Sequence, residues 1–173
     1  MKITVVIVVY NHKEYLKNCL DFLLRAVDGL SYEIFLIDNH SNDGSANFLK
    51  KREGERIKVI LNKKNLGFAR ACNQGIRKAK GEYLLLLNPD VELEKESVKL
   101  MINFLEKRKN PVVAVPLLFN PDGSVQYSIR KFPGFFSALI RRTPLRLFPF
   151  LPRDFHFVKK INQKKPTQID WAL

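Results

Sequence analysis

Carboxylate side chains stand at the ends of two hydrophobic segments of the sequence. Asp38 closes the segment "YEIFLID", and Asp90 follows "YLLLL" across Asn88 and Pro89. A carboxylate at the end of a rigid strand can coordinate a divalent cation or accept hydrogen bonds from a ligand. The alternative is structural, because Asn-Pro-Asp is a common turn, Asp90 suits a helix cap, and "SNDGS" suits a loop before a helix. Two acids that end two different predicted strands favour the functional interpretation.

Strand-like segments alternate with helix-like segments over the first 116 residues. β-Branched and aliphatic residues predict strands at 3–9, 32–38, 57–61, 83–87 and 112–115. Apolar residues at spacings of three and four predict a first helix with a stripe made of Leu16, Cys19, Leu20, Leu23, Leu24 and Val27. Further helices are predicted around 45–53, from Phe68 to Ala79, and over 95–108. This alternation indicates right-handed crossovers and a parallel sheet covered on both faces.

Four local signals add detail to this pattern. "NHKE", from Asn11 to Glu14, is typical of a capping box at the start of the first helix. Gly81 is expected to end the third helix at its C′ position. The leucines of "YLLLL" predict the most buried strand of the sheet, and "LLFNPDGSVQYSI" predicts a hairpin across Asp122-Gly123.

The carboxyl ends of parallel strands meet at one edge of a sheet, and open α/β sheets bind ligands there. Four polar segments come to that edge: Tyr10-Asn11, Asp38-Asn39, "NKKNLGFAR" and Asn88-Pro89-Asp90. The sequence lacks the glycine-rich Rossmann fingerprint, the phosphate-binding "GxxxxGK[ST]" loop and the "GxSxG" elbow of hydrolases. The four segments therefore form the candidate site, and these three classes of enzyme are excluded.

Composition and charge indicate a compartment and a class of partner. The 173 residues are 46% hydrophobic, and the apolar start "MKITVVIVV" is too short for a membrane span and lacks a cleavage signal. Cys19 and Cys72 are predicted to be buried free thiols of a reduced, cytosolic protein, with a single disulfide as the alternative.

The net charge is +13, and residues 130–173 carry ten Lys and Arg against two Asp. This excess favours nucleic acid, an anionic membrane or a phosphorylated ligand as the partner.

Four segments, in order, resemble those of the family 2 glycosyltransferases, and most closely their rhamnosyltransferase-like branch. They are "VVIVVYNHKEYLKNCLDFL", "IDNHSNDGS", "NLGFARACNQGIRKAKGEYLLLLNPDVEL" and "NPDGSVQYSIRKFPGFFSALIRR". The resemblance implies the GT-A (nucleotide-diphospho-sugar transferase) fold, a Rossmann-like three-layer α/β sandwich with a mostly parallel central sheet. Residues 1–131 would form the core that binds the nucleotide-sugar donor, and residues 132–173 the basic and aromatic start of an incomplete acceptor-side region.

The resemblance implies a nucleotide-binding role for residues of the first three segments. Asp38 would accept a hydrogen bond from the imide N–H of uracil or thymine. The sugar donor would accordingly be a UDP-sugar or a dTDP-sugar. Tyr10 and Asn11 would line the base pocket. Asn65 and Gly67 would lie near the nucleoside.

Asn88-Pro89-Asp90 would stand where many relatives carry an Asp-x-Asp motif. Pro89 would stop the strand, so that Asp90 turns outward and binds a Mg²⁺ or Mn²⁺ ion that bridges the diphosphate. Asn88 replaces the first Asp, so weak metal binding is expected until the nucleotide brings its own oxygens. Cys72 stands where many relatives carry an Arg, and Arg70 is expected on another side of the helix.

An inverting glycosyl transfer needs a general base beside the acceptor hydroxyl. In the family this acid belongs to an acidic pair, which would lie beyond residue 173, and "QIDWAL" resembles the start of the acceptor-side strand that precedes it. Asp170 is a late acid in a strand-like setting and is expected to contact the acceptor at most. The chain is therefore expected to bind donor but to transfer sugar poorly or not at all.

Residues 130–165 interleave Lys and Arg with Phe, Leu and Ile. The aromatic residues either complete a core beneath solvated cations, or form with the cations a surface that binds an anionic membrane. Together with the resemblance, this predicts a peripheral protein on the cytoplasmic face of the cell membrane.

The predicted function is the metal-assisted, inverting transfer of a sugar, with rhamnose suggested by the branch. The acceptor would be a glycan or a lipid-linked molecule in cell-envelope polysaccharide synthesis. One alternative is a catalytically inactive nucleotide-binding module. The other is a nucleic-acid-binding protein, although the sequence carries no recognised motif of a DNA- or RNA-binding fold.

Overall fold

The computed structural model describes residues 1–110, 112–126, 129–130 and 171–172, the last two pairs by their backbone alone. The chain divides into two compact units, Met1–Val112 and Val113–Leu173. In the described part, no helix is long and apolar enough to cross a membrane.

The first unit is a parallel four-stranded sheet with the order β3-β2-β1-β4. Its strands are β1 (Ile3–Val9), β2 (Tyr32–Asp38), β3 (Ile57–Leu61) and β4 (Tyr83–Leu87). Between and after them run the helices α1 (Lys13–Ala26), α2 (Ser45–Lys50), α3 (Phe68–Ile76) and α4 (Ser97–Glu106). The four strands have the bounds that the sequence predicted, and a helix connects each strand to the next one along the chain.

The alternating faces of β1 divide the core into the two sides of a three-layer sandwich. Ile3, Val5, Ile7 and Val9 pack with buried residues of α1, α2 and α4 on one side. Val6 and Val8 pack with Ala71 and Cys72 of α3 on the other. All seven residues of β1 are buried, as expected for a central parallel strand of β-branched residues. The predicted α/β sandwich is therefore confirmed.

The strand register brings the carboxyl ends of the strands to one edge. Val9 is aligned with Asp38, and Asp38 with Leu61, while Ile7 on the other side of β1 is aligned with Leu87. The loops that leave the four strands therefore begin side by side, as the sequence pattern predicted.

The prediction that "YLLLL" is the most buried strand is wrong. Among the described residues β4 pairs with β1 alone and is an edge strand, and Leu84 and Leu86 are 44% and 47% exposed. Helix α3 packs chiefly on β1 and β2, so among the described residues this face of β4 is largely uncovered. Leucine content reports hydrophobicity but not a strand's place in a sheet, so the run could not distinguish an edge from a centre.

Two other predictions about this unit are wrong. Gly81 is not the C′ residue of α3, because the helix ends at Ile76 and Arg77 is its C-cap. Instead the backbone at Gly81 passes so close to β1 that an added Cβ would lie 2.4 Å from Thr4 N. Residues 112–115 form no strand, although they are apolar, and residues 112–118 have no regular secondary structure.

The second unit contains the predicted hairpin across Asp122-Gly123. Phe119 and Val125 form an antiparallel bridge, and Gln126 N donates to Leu118 O at 2.8 Å. Farther along the chain, strand β5 (Ile129–Arg130) pairs antiparallel with strand β6 (Trp171–Ala172).

Candidate functional site

Asp38 is a buried carboxylate at the end of β2. The residue is 3% exposed, and its Oδ2 accepts hydrogen bonds from the backbone N–H groups of His40 (3.2 Å) and Ser41 (3.0 Å). Its Oδ1 is buried and has no donor within the part of the chain that the structure describes. A buried oxygen without a donor loses its hydration without compensation, so a ligand N–H placed there would be favourable.

Asn11 ties the loop after β1 to the loop after β2. Its φ is 57°, its N–H donates to Ser41 Oγ at 3.0 Å, and its Oδ1 accepts from Asn42 N–H at 2.9 Å. Tyr10, just before it, is 46% exposed at the carboxyl edge. Asn11 therefore shapes the site by holding two loops together, while the Tyr10 ring is available to a ligand.

The capping box predicted from Asn11 to Glu14 is not formed. His12 is the N-cap residue of α1 and makes no side-chain cap hydrogen bond. The cap comes from Asp43, whose Oδ2 accepts from Lys13 N–H at 2.9 Å and whose Oδ1 accepts from Ser45 Oγ at 2.6 Å. Asp43 lies 30 residues along the chain from Lys13, so a local pattern could not reveal it. The segment "SNDGS", which contains Asp43, was predicted as a loop before a helix, and its Asp43 also caps α1.

Hydrogen bonding at Asp43 also lowers the pKa of its carboxyl group. Partial burial alone would raise this pKa, but hydrogen bonds from Ser45 Oγ and from the N–H groups of Lys13 and Ser45 outweigh it. They do so because each donates to the charged form.

Asn65 and Gly67 lie in the loop between β3 and α3. Gly67 has a φ of 79°, which L-residues rarely adopt, and its N–H donates to Asn65 Oδ1 at 2.8 Å. Both residues are exposed, and so are Lys63 and Lys64 in the same loop. The loop therefore offers backbone and amide groups to a ligand in a positively charged setting.

The Asn88-Pro89-Asp90 turn rests on helix α1. Cys19 Sγ donates to Asn88 O at 3.7 Å, and Val91 N–H donates to the same oxygen at 3.3 Å. Burial, together with the charges of Asp90 and Glu92, raises the pKa of the Cys19 thiol to about 12. Asp90 itself is exposed just beyond the strand, as the sequence predicted.

Asp90 suits a cation that is shared with a ligand. Among the described residues no three His, Cys, Asp or Glu side chains are placed to hold a metal ion. Mg²⁺ commonly takes one or two protein carboxylates and completes its shell with substrate phosphates and water. One exposed carboxylate at the end of β4, with the Asn88 amide nearby in sequence, fits that kind of site.

Helix α3 separates Cys72 from Arg70 as expected. Cys72 is 4% exposed in the core between α3 and the sheet, where burial raises the pKa of its thiol, whereas Arg70 is exposed. Cys72 and Cys19 are both free and buried, as predicted. Asp170 and nearly all of the basic segment 130–165 lie outside the described residues.

The sequence placed Asn39, Asn62 and Asn65 in segments of the candidate site, but it missed Gln74 and did not reveal that these amides contact one another. Asn39 is 2% exposed and contacts side chains from the next loop along the sheet edge. Its position beside Asp38 in "IDNHS" was the available signal, but its partners Asn62 and Asn65 lie more than twenty residues away.

Comparison with curated proteins identifies relatives of this chain. The Glycosyl transferase family 2 model matches residues 4–168. The poly(ribitol-phosphate) beta-glucosyltransferase of Bacillus spizizenii is 34% identical over 116 residues, which are 65% of this chain and 18% of that protein. The undecaprenyl-phosphate 4-deoxy-4-formamido-L-arabinose transferase of Edwardsiella ictaluri is 28% identical over 146 residues, which are 82% of this chain and 44% of that protein. The chain thus spans less than half of either relative.

Solved structures show the same fold. S. aureus TarS in complex with UDP-GlcNAc is 26% identical, with a TM-score of 0.56 over 62% of this chain and 32% of TarS. The Pyrobaculum calidifontis mannosyltransferase PcManGT, in complex with GDP-Man and Mn²⁺, is 19% identical, with a TM-score of 0.57 over 70% of this chain and 36% of that one. The family model covers nearly the whole sequence, and the sheet and helices match these enzymes. The chain therefore has the GT-A fold and belongs to glycosyl transferase family 2.

Proposed function

We propose that the carboxyl edge of the sheet binds the nucleoside-diphosphate part of a sugar donor, and that the chain is the donor-binding part of a glycosyltransferase. The observation that carries this proposal is the buried Oδ1 of Asp38, which has no donor among the described residues. A carboxylate can only accept hydrogen bonds, and the imide N3–H of uracil or thymine supplies the missing donor. The other carboxylate oxygen, Oδ2, accepts hydrogen bonds from two backbone N–H groups, and these fix the position of Oδ1.

The remaining site residues surround this contact in the proposal. Tyr10, exposed at the end of β1, lines the base pocket beside Asn11, which holds the two loops together. Asn65 and Gly67 contact the nucleoside from the loop after β3. The exposed Lys63 and Lys64 favour an anionic ligand at this edge.

Asp90, with Asn88 beside it, is proposed to hold Mg²⁺ or Mn²⁺ together with the donor diphosphate. Such an ion supplies charge neutralisation for the departing nucleoside diphosphate. The contribution of the chain is to fix one carboxylate on a short turn that is anchored to α1 through the Cys19 contact to Asn88 O.

The identity of the donor is proposed from two sources. TarS has been solved with UDP and with UDP-GlcNAc, which supports a uracil nucleotide. The four sequence segments that resemble the rhamnosyltransferase-like branch support dTDP-rhamnose. Both nucleotides carry the imide N–H that Asp38 requires, so the proposal includes both.

The relatives also support a proposal for the acceptor and the location. Their names refer to poly(ribitol-phosphate) and undecaprenyl-phosphate. We propose inverting transfer to a glycan or a lipid-linked acceptor in cell-envelope polysaccharide synthesis, at the cytoplasmic face of the membrane. Residues 1–131 would bind the donor, and residues 132–173 would begin the acceptor side.

Calorimetric titration with UDP, dTDP and CDP tests the base contact. Cytosine carries a lone pair at N3 where uracil carries N–H, so CDP would present an acceptor to Asp38 Oδ1. We expect UDP or dTDP to bind at least about tenfold more tightly than CDP, because a buried acceptor is left unpaired by the wrong base.

The Asp38→Asn variant provides the matched test. The N–H groups of His40 and Ser41 donate to Oδ2 of Asp38, so in the variant they would hold the amide oxygen at that position. The amide NH₂ would then take the place of Oδ1 and donate to cytosine N3. The preference should shift from UDP towards CDP, and a variant that binds all three nucleotides like the wild type would contradict the base contact.

The same titrations with and without Mg²⁺ or Mn²⁺ test Asp90. Asp90→Asn should remove the metal-dependent gain in affinity. Glu94→Gln should keep it, because Glu94 is an exposed acid whose carboxylate makes no hydrogen bond among the described residues. Equal loss in both variants would assign the effect to general charge. Sugar transfer to an added acceptor would exclude the inactive-module alternative.

A further inference from the structure

Four amide side chains form a continuous hydrogen-bonded group at the carboxyl edge, here named the amide network: Asn39, Asn62, Asn65 and Gln74. Asn39 Nδ2 donates to Asn65 Oδ1 at 2.8 Å, and Asn39 Oδ1 accepts from Asn62 Nδ2 at 3.2 Å. Asn62 and Gln74 exchange two hydrogen bonds, at 3.0 and 2.8 Å. The network thus joins the ends of β2 and β3, the β3–α3 loop and helix α3.

Backbone N–H groups fix the orientation of the amides of Asn39 and Asn65. Leu66 N–H donates to Asn39 Oδ1 at 3.0 Å, and Gly67 N–H donates to Asn65 Oδ1 at 2.8 Å. A backbone N–H can only donate, so Asn39 must turn its oxygen towards Leu66 and its NH₂ towards Asn65. The backbone therefore decides which atom of each amide donates and which accepts, and only one arrangement of the network is allowed.

An acid could not replace the amide of Asn39. Asp at position 39 would place one carboxylate oxygen against Asn65 Oδ1, two acceptors that now lie on either side of a 2.8 Å hydrogen bond. Asn65 could not relieve this by turning over, because its NH₂ would then face Gly67 N–H. Position 39 is also 2% exposed, where an added charge is poorly solvated.

We propose that Asn39 is a positioning residue whose amide holds the β3–α3 loop in its donor-binding form before the donor arrives. This inference rests on the proposed function, because Asn65 and Gly67 are the loop residues assigned to the nucleoside. Asn39 is the chain neighbour of Asp38, and its own N–H donates to Val9 O at 2.8 Å, so the loop is anchored to the strand ends that carry the base contact. Donor binding then orders little of the loop, which lowers its entropic cost.

Amide hydrogen exchange, followed by NMR on the full chain without ligand, tests the network itself. The comparison is between Asn39→Asp and Asn65→Asp, the same chemical change at the two ends of one hydrogen bond. Only the oxygen of Asn65 is used in the network, so an acid at 65 retains both acceptor contacts. We expect exchange of the Gly67 N–H to accelerate about tenfold in Asn39→Asp and not in Asn65→Asp. Equal behaviour of the two variants would overturn the proposal.

Nucleotide titration tests the consequence for binding. The affinity for UDP or dTDP should fall about tenfold in Asn39→Asp, since the apparent dissociation constant rises as the competent fraction of the loop falls. Asn42→Asp is the control, because it adds the same charge three residues away, at an exposed side chain outside the network. The positioning role would be overturned if Asn39→Asp accelerated exchange of the Gly67 N–H but left the nucleotide affinity unchanged. It would also be overturned if Asn42→Asp lowered the affinity as much as Asn39→Asp.

Two further measurements keep the outcomes distinct. If Asn39→Asp does not fold, Gln74→Leu is used instead, because leucine is similar in size to glutamine but makes neither hydrogen bond to Asn62. If amide hydrogen exchange at Leu66 and Gly67 were the same in this variant as in the wild type, the network would be overturned. If wild-type protein binds none of the nucleotides, the proposed function fails, while the exchange comparison still decides whether Asn39 holds the loop.

Discussion

Asp38 and Asn39 are neighbours in the chain with opposite chemical requirements. Asp38 leaves one carboxylate oxygen buried and without a donor among the described residues, which suits an N–H from a ligand. Asn39 uses its amide within the protein, where donor and acceptor are both required. Exchange of acid and amide between these two positions would keep the composition and volume but would remove both functions.

Asp43 is predicted to stabilise the fold as the cap of α1. Asp43→Ala should lower the free energy of unfolding by about 1 kcal/mol at neutral pH, because Lys13 N–H and Ser45 lose their acceptor. Denaturant unfolding of the variant and the wild type measures the difference. Asp28→Ala is the control and should change stability little, because Asp28 is exposed and its carboxylate makes no hydrogen bond within the part of the chain that the structure describes.

The contribution of Asp43 should depend on pH with a definite sign. Its pKa is lower in the folded state than the ordinary value of 3.8, so its contribution is present in full above that value. As the pH falls through the lower folded-state pKa, the carboxyl group is protonated and the contribution is lost. The difference between wild type and Asp43→Ala should therefore shrink below about pH 4. A difference that stays constant into strong acid would contradict the role of the charge.

At the scale of elements, glycines set how closely α3 and β4 approach β1. A Cβ at Gly75 in α3 would lie 2.8 Å from Val6 Cγ2, so the helix backbone packs directly on the side chain of Val6. A Cβ at Gly81, before β4, would meet backbone atoms of Ile3 and Thr4 at 2.7 and 2.4 Å. Gly81 N–H also donates to Thr4 Oγ1 at 2.9 Å, which fixes the chain at that approach.

Gly81→Ala is predicted to be strongly destabilising. Backbone atoms cannot move aside as the end of a flexible side chain can, so the strand pair must shift, at a cost of about 1–3 kcal/mol. Thermal and denaturant unfolding measure this loss. Gly54→Ala is the matched control, because nothing lies within 4 Å of its added Cβ and its stability should be unchanged or slightly higher. Similar effects of both substitutions would contradict the close approach.

The charge of the whole chain is a feature of its sequence that the proposed function only partly uses. The net charge is +13, and residues 130–173 carry ten Lys and Arg but only two acids. An anionic donor accounts for cations near the sheet edge, such as Lys63 and Lys64. The later cations support the proposal of an anionic membrane surface.

Flotation with phosphatidylglycerol vesicles tests the membrane proposal. Binding should fall as salt is raised, and phosphatidylcholine vesicles should bind less, because each Lys or Arg near an anionic surface adds about 1 kcal/mol. Arg141→Glu with Arg142→Glu should weaken binding more than Lys50→Glu with Lys51→Glu, which makes the same change in net charge at exposed residues of the first unit. Equal effects of the two pairs would show that the segment 130–165 has no special role.

Much of the fold could be predicted because it depends on local pattern. The runs at 3–9, 32–38, 57–61 and 83–87 gave the four strand bounds, since each hydrophobic run is flanked by polar loops. The carboxyl edge followed from the parallel topology, which brought Asp38 and the start of the Asn88-Pro89-Asp90 turn to the same side of the sheet. For the same reason, the sequence alone predicts Tyr10 and Asn65 at that edge.

Contacts between distant segments decided the rest. Sequence alone determined the order of elements, the edge that carries the candidate site and the acid that ends β2. The tertiary structure decided that β4 is an edge strand, that Asp43 caps α1 in place of Asn11, and that Asn39 is the centre of an amide network. Each of these depends on residues twenty or more positions apart, and hydrogen bonds and packing act between neighbours in space, whereas periodicity and capping patterns report only neighbours in the chain.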